Sequence, residues 1–155
     1  MKRIMIFMVM VALVMAAGTA FAATATQSLT VSATVPNLCR ITSVTNVTFS
    51  TPYDTTDATP NDSGQGSFNF RCTKGTNYDL YITGTRQMTN GTDNLTYQLY
   101  EETGRTTIWP SASPGVTGTA PSNAAISKDI YGRIPSLQDV STGSYSGTVT
   151  ITVQY

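Results

Sequence analysis

The chain has no histidine, only two cysteines and a single tryptophan, and charged residues make up just 12% of it. Each shortage excludes something. Without histidine, neither a Ser-His-Asp nor a Cys-His arrangement can form within one chain, and the commonest side-chain ligand for transition metals is missing. Two cysteines alone do not make a metal site, and Cys39 and Cys72 stand far from the C-x-x-C spacing of a redox pair. Basic and acidic residues are equal in number, so no nucleic-acid-binding surface is expected. No window carries a sustained helical period with caps. On these grounds no catalytic residue, metal ligand or cofactor-binding residue is assigned.

What is present begins with a leader. Lys2 and Arg3 form a charged start, residues 4–17 are apolar and uncharged, and Ala20-Phe21-Ala22 fits a small-x-small cleavage site. The apolar run is shorter than the roughly 20 residues that span a bilayer. Residues 1–22 are therefore expected to be a signal peptide. Its removal leaves about 130 residues, enough for one domain with a workable core. In an exported chain Cys39 and Cys72 are expected to form a disulfide. Closing that loop of about 33 residues is worth roughly 3–4 kcal/mol on the chain-entropy model.

The rest reads as β-structure. Short runs of alternating apolar and polar residues are separated by Gly, Pro, Asn and Asp clusters, the pattern of a sandwich or barrel. Residues 40–49 carry Ile41, Val44, Val47 and Phe49. A polar connection is expected over 52–66. Residues 67–72 alternate cleanly, with Phe68, Phe70 and Cys72 on one face. After a turn at 74–77, Tyr78, Leu80 and Ile82 line the next strand. Residues 84–94 read as a connection with an Asn90-Gly91 turn. Leu95, Tyr97 and Leu99 mark one strand, 101–125 reads as largely irregular, and 126–134 reads as a strand or two half-strands. In the last run, Tyr145, Val149, Ile151, Val153 and Tyr155 share a face.

That makes about six strands, where an immunoglobulin-like sandwich needs seven. No sequence follows Tyr155 to supply a closing strand, and such an open edge is a template for another chain. At the other terminus, residues 29–35 (Leu-Thr-Val-Ser-Ala-Thr-Val) alternate without a break and have no hairpin partner. The domain is thus one strand short at its end and carries one too many at its start. The organisation expected is an arm at 23–38 and a domain at 39–155. Leu29, Val31, Ala33 and Val35 would enter the groove of a neighbouring copy, head to tail.

Other pairings of chemically active residues lack the geometry they need. Ser127 and Lys128 are adjacent and point to opposite faces of a strand. Asp54, Asp57 and Asp62 lack the spacing of a calcium loop. Glu101 and Glu102 cannot flank one glycosidic bond. Trp109 and the surface tyrosines could stack on sugars, so a secreted monomeric carbohydrate- or surface-binding module or coat protein is the alternative reading.

Several motifs together resemble the spore coat protein U domain family, which includes subunits of archaic chaperone–usher pili. They are Phe49-Ser50-Thr51-Pro52-Tyr53-Asp54, Cys72-Thr73-Lys74-Gly75, Arg86-Gln87-Met88, residues 95–100, Tyr131-Gly132-Arg133-Ile134-Pro135, Gln138, and Gly143-Ser144-Tyr145 leading into residues 148–155. The chain departs from the pattern at Ser50, Pro110 and Gly147. The resemblance implies an all-β, incomplete immunoglobulin-like sandwich that lacks its final strand and is completed by a donor strand. It also implies a periplasmic chaperone, an outer-membrane usher and other pilus subunits as partners. The chaperone would pair beside the final strand, with Val149, Ile151, Val153 and Tyr155 as the groove strand. The implied role is a pilus subunit, exported through the periplasm to a surface fibre that serves attachment and biofilm formation.

Overall fold

The computed structural model describes residues 22–155; the expected leader, residues 1–22, lies outside the described residues except for Ala22. The chain divides into two units, the second being Val35–Tyr155. Residues 22–34, in the first, form neither strand nor helix and are exposed throughout. The strand expected over 29–35 is therefore not formed. A strand exists only as half of a ladder, and no ladder partner for it is present among the described residues.

The second unit is all-β, with no helix among the described residues. Its strands are β1 Cys39–Phe49, β2 Asn61–Cys72, β3 Asn77–Thr83, β4 Gln87–Thr89, β5 Asn94–Thr96, β6 Gln98–Tyr100, β7 Val116–Thr119, β8 Ile126–Ile134 and β9 Thr150–Gln154. A four-stranded sheet has the order β1-β2-β8-β6, a three-stranded sheet β7-β3-β9, and β4 and β5 make a separate hairpin. All the pairings are antiparallel.

The core lies between the two larger sheets. Phe68, Phe70 and Cys72 on β2, Ile130 on β8 and Leu99 on β6 meet Leu80 and Ile82 on β3, with Trp109 and Ala120 from the connections. These residues sit at alternate positions on their strands, as a half-buried sheet requires. Phe68 packs on Phe70 and Trp109 with ring centroids 6.1 and 5.8 Å apart, and Phe70 meets Tyr78 edge-on at 5.0 Å. Each such pair adds to the area term for burial. Cys39 and Cys72 are cross-strand partners and are joined in a disulfide.

The expected polar connection over 52–66 ends early, because β2 begins at Asn61. Gly64 and Gly66 are buried within it. A β-carbon on Gly64 would stand 2.6 Å from the Phe49 ring, and one on Gly66 would stand 2.8 Å from the Val47 amide nitrogen. These polar-looking residues are core because the β1 backbone and side chains cover them. The connection expected over 84–94 contains β4. The stretch 95–99 is not one strand: Leu95 belongs to the β4–β5 hairpin and Leu99 to the four-stranded sheet, with the break at Tyr97. The region 101–125 holds β7 and the buried Trp109. Residues 126–134 form a single strand. Of the final run only Thr150–Gln154 is a regular strand, preceded by an isolated bridge between Ser146 and Thr89.

Candidate strand-accepting groove

The apolar positions of β1 fall at 41, 44, 47 and 49, an irregular spacing for a strand of period two. The structure resolves it with two bulges, between Ile41 and Ser43 and between Thr45 and Thr48. A bulge inserts an extra residue and bends its strand. Ile41 stays opposite Phe70, Val44 opposite Phe68 and Phe49 opposite Gly64, while Val47 comes down over Gly66 and Gly132. All four therefore keep to the core face, although β1 is an edge. Their burial is incomplete: Ile41 is 40% exposed and Val44 53%.

The other sheet ends on β9. Leu80 pairs with Val153 and Ile82 with Ile151, which turns Ile151 and Val153 toward the core. They pack against it but remain half-buried, as does Val149. Among the described residues, β9 has β3 on one side and no strand on the other, and β1 has β2 on one side only. The two free edges border one depression of about 440 Å³. Val44–Phe49 and residues 145–149 with Ile151 make its walls, Leu99 and Ile130 lie at its base, and Met88 and Tyr97 contribute from the hairpin side. This is a sandwich left open along one seam: apolar side chains half-covered, and a row of backbone groups on each edge without a ladder partner.

The wall on the β9 side is held from behind. The Ser146 amide donates to the Thr89 carbonyl (3.1 Å) and the Thr89 amide to the Ser146 carbonyl (2.9 Å). Asn90 Nδ2 donates to Tyr145 Oη (3.0 Å) and Ser141 Oγ (3.1 Å). A β-carbon at Gly147 would collide with the carbonyl oxygen of Gln87. The family departure at Gly147 is thus a steric demand of this packing. Beside Tyr97, Arg86 is half-buried and donates from Nη2 to the Ile82 carbonyl (2.9 Å), while its Nη1 is buried without a partner. Burial pushes the Tyr97 phenol up, against the opposing pull of Arg86; it stays neutral near pH 7.

The expected site residues are distributed as follows. Val149 and Ile151 line the groove. Val153 packs on the core further along β9. Tyr155 is 57% exposed and borders a different depression, with Asn77, Tyr78 and residues 117–119. Leu29 and Val31 are each 87% exposed and Val35 76%, with Ala33 exposed as well. Val47, Phe49, Met88, Tyr97 and Tyr145 belong to the groove but were not expected there. For β1 a signal existed in the three-residue spacing of its apolar positions, which marks bulges and therefore an edge. Trp109 is 2% exposed, and its indole N–H donates to the Asp129 carbonyl (3.3 Å). It is core and cannot stack on a sugar.

Residues 25–152 match the Spore Coat Protein U domain. That is most of the chain, and the chain belongs to this family. The chain is also similar in structure to a chain of the CsuC–CsuE chaperone–tip adhesion subunit pre-assembly complex from archaic chaperone–usher Csu pili of Acinetobacter baumannii, with a TM-score of 0.56 and 21% identity. The match covers 79% of this chain and 40% of that one. At that identity the likeness establishes the fold: an incomplete immunoglobulin-like sandwich. No curated protein matches.

Proposed function

We propose that this protein is a structural, non-enzymatic subunit of a chaperone–usher pilus, assembled by donor-strand exchange. The observation that carries the reading is the open seam: two unpaired strand edges, β1 and β9, border one apolar groove. An extended segment laid between them would pair with both edges and cover Leu99 and Ile130. The sequence contains one segment of suitable character, residues 29–35, with Leu29, Val31, Ala33 and Val35 on one side of its alternation. Burying the three larger side chains contributes about 1.5–3 kcal/mol each, and each new backbone hydrogen bond about 0.5–1.5 kcal/mol. Ordering the arm costs about 1–2 kcal/mol per residue, so a groove already formed by the disulfide-linked domain makes the exchange favourable.

Before assembly a periplasmic chaperone covers the same groove along β9, with Val149, Ile151 and Val153 beneath it and Tyr155 at the end of the strand. An outer-membrane usher then exchanges the chaperone for the next subunit's arm. Other subunits, chaperone and usher are the partners, and the product is a surface fibre that supports attachment and biofilm formation. The membership in the Spore Coat Protein U domain family supports this reading.

The test is export of the full chain with a periplasmic chaperone and usher, against a variant lacking residues 23–35 and against Val31→Asp. Both variants should bind chaperone as the wild type does and fail to extend a fibre, the first because it has no arm to donate and the second because an unpaired carboxylate would be buried in the groove. Fibres of normal length from Val31→Asp would overturn the face assignment. A chain that gives a stable monomer alone, binds no chaperone and exchanges no strand would overturn the reading.

A further inference from the structure

The domain is polar along its strands. At one end β1 begins and β2 ends, joined by the disulfide. Arg40 and Arg71 lie directly opposite each other there, and Lys74 follows in the adjoining turn; all three are exposed. Like charges directly opposite across a ladder repel, and no carboxylate among the described residues bridges any of the three. The repulsion is a cost that a negatively charged neighbour would remove.

The opposite end is built from three connections. One joins β1 to β2 and carries Asp54 and Asp57, the β4–β5 turn carries Asp93, and the loop after β8 carries Asp139. Tyr53 ties the first to the last, donating to the Pro135 carbonyl (2.8 Å) and accepting from the Gln138 amide (2.9 Å). Asp93 accepts from the Ser141 amide (2.8 Å). The same surface presents Leu137, 62% exposed and held at a φ of 59°. A branched residue in the left-handed region is a strained arrangement that the surroundings must maintain. The disulfide end presents Leu38, 39% exposed.

We infer that these two ends are the halves of one interface, so that the aspartate-bearing loop end of each copy seats on the Arg40–Arg71–Lys74 end of the next. This rests on the strand-exchange reading, and the charges of the two ends then select the direction. β1 runs from the disulfide end to the loop end and β9 runs back. An arm antiparallel to β9 therefore runs toward the loop end. Only residues 36–38 separate the end of the arm from Cys39 of the donor, a span of at most about 13 Å. The donor's basic end must then lie close to the recipient's acidic end, near the screening length of about 8–10 Å at physiological salt. An arm laid the other way would bring two basic ends together. Leu137 and Leu38 supply an apolar contact within the charged rim.

A zero-length carbodiimide tests the contact directly, because Lys74 and Lys128 are the only lysines among the described residues. In fibres sheared from cells exporting the full chain, Lys74 should be joined to Asp54, Asp57 or Asp139 of another copy. Lys74→Arg should abolish those links and leave the fibres intact. Reversal of Asp54, Asp57 and Asp139 to lysine should slow fibre growth about tenfold at low salt, with much less effect in about 1 M salt. Combining it with Arg40→Glu, Arg71→Glu and Lys74→Glu should restore the rate. Fibres that form normally but give no Lys74 link to these residues, or a combined variant that stays slow, would overturn the interface and leave strand exchange standing. Absence of fibres from the wild type would overturn strand exchange itself.

Discussion

The ring of Phe49 rests on the backbone of Gly132: a β-carbon at that glycine would stand 2.8 Å from Phe49 Cζ. The contact joins the edge strand β1 to the central strand β8, across β2. It is also what keeps the bulged half of β1 over the core, and so shapes one wall of the groove.

Gly132→Ala should therefore destabilise the domain by about 1–3 kcal/mol, the usual cost of forcing a methyl into a packed site. Urea denaturation followed by Trp109 fluorescence measures it. The same variant should accept a donor arm less readily, because Phe49 lines the groove. An unchanged midpoint would mean that the ring swings away freely and does not hold β1.

The disulfide acts at the other end of the same strand. Cys39 and Cys72 are register partners separated by 33 residues. Replacing both by serine should lower stability by about 2–5 kcal/mol, seen as a lower urea midpoint. It should also raise the proportion of chain degraded during export, since β1 would fray from Cys39 inward. A loss under about 1 kcal/mol would mean that the β1–β2 ladder alone fixes the strand.

Strands whose core partners lie on their own alternation were legible in the sequence. Phe68, Phe70 and Cys72 are buried where the period of two puts them, and so are Leu80 and Ile82. What was not legible depends on distant neighbours. Gly64 and Gly66 look like loop residues and become core only because Phe49 and Val47 lie on them. Leu95 and Leu99 keep a strand period, yet the chain changes sheets between them, which local pattern cannot reveal. Of the groove, Val149 and Ile151 were readable from the alternation of the final run itself. Met88, Tyr97 and Tyr145 were not, because the Thr89–Ser146 bridge that brings them in spans unrelated parts of the chain.

Trp109 gives the core its largest buried side chain. Trp109→Ala should cost about 3–5 kcal/mol, and Trp109→Phe less, because Phe keeps the contact with Phe68 and loses the hydrogen bond to Asp129. As the single tryptophan it reports its own environment: emission should be blue-shifted and resist iodide quenching in the folded chain. Ready quenching would place it at the surface and reopen a sugar-stacking role.

Asp62 makes the stability of the domain pH-dependent. Its carboxylate accepts from Arg133 Nε (2.6 Å) and Nη2 (2.8 Å), with Arg105 at 3.5 Å. The Arg133 hydrogen bond holds its pKa below the usual carboxylate value, partly opposed by desolvation, with Arg105 and Arg133 adding Coulombic attraction. A depressed folded-state pKa contributes stability above the unfolded value near 3.9, and that contribution is lost as pH falls through the folded value. The side chain is 41% exposed, so screening keeps the term to about 1 kcal/mol or less. Asp62→Asn mimics the protonated form. The wild type should melt higher than the variant at pH 7, the gap should narrow in high salt, and it should close as pH falls through the folded value. Melting curves across that range decide it: a gap that persists in acid would mean that Asp62 acts through shape and neutral hydrogen bonds, not through its charge.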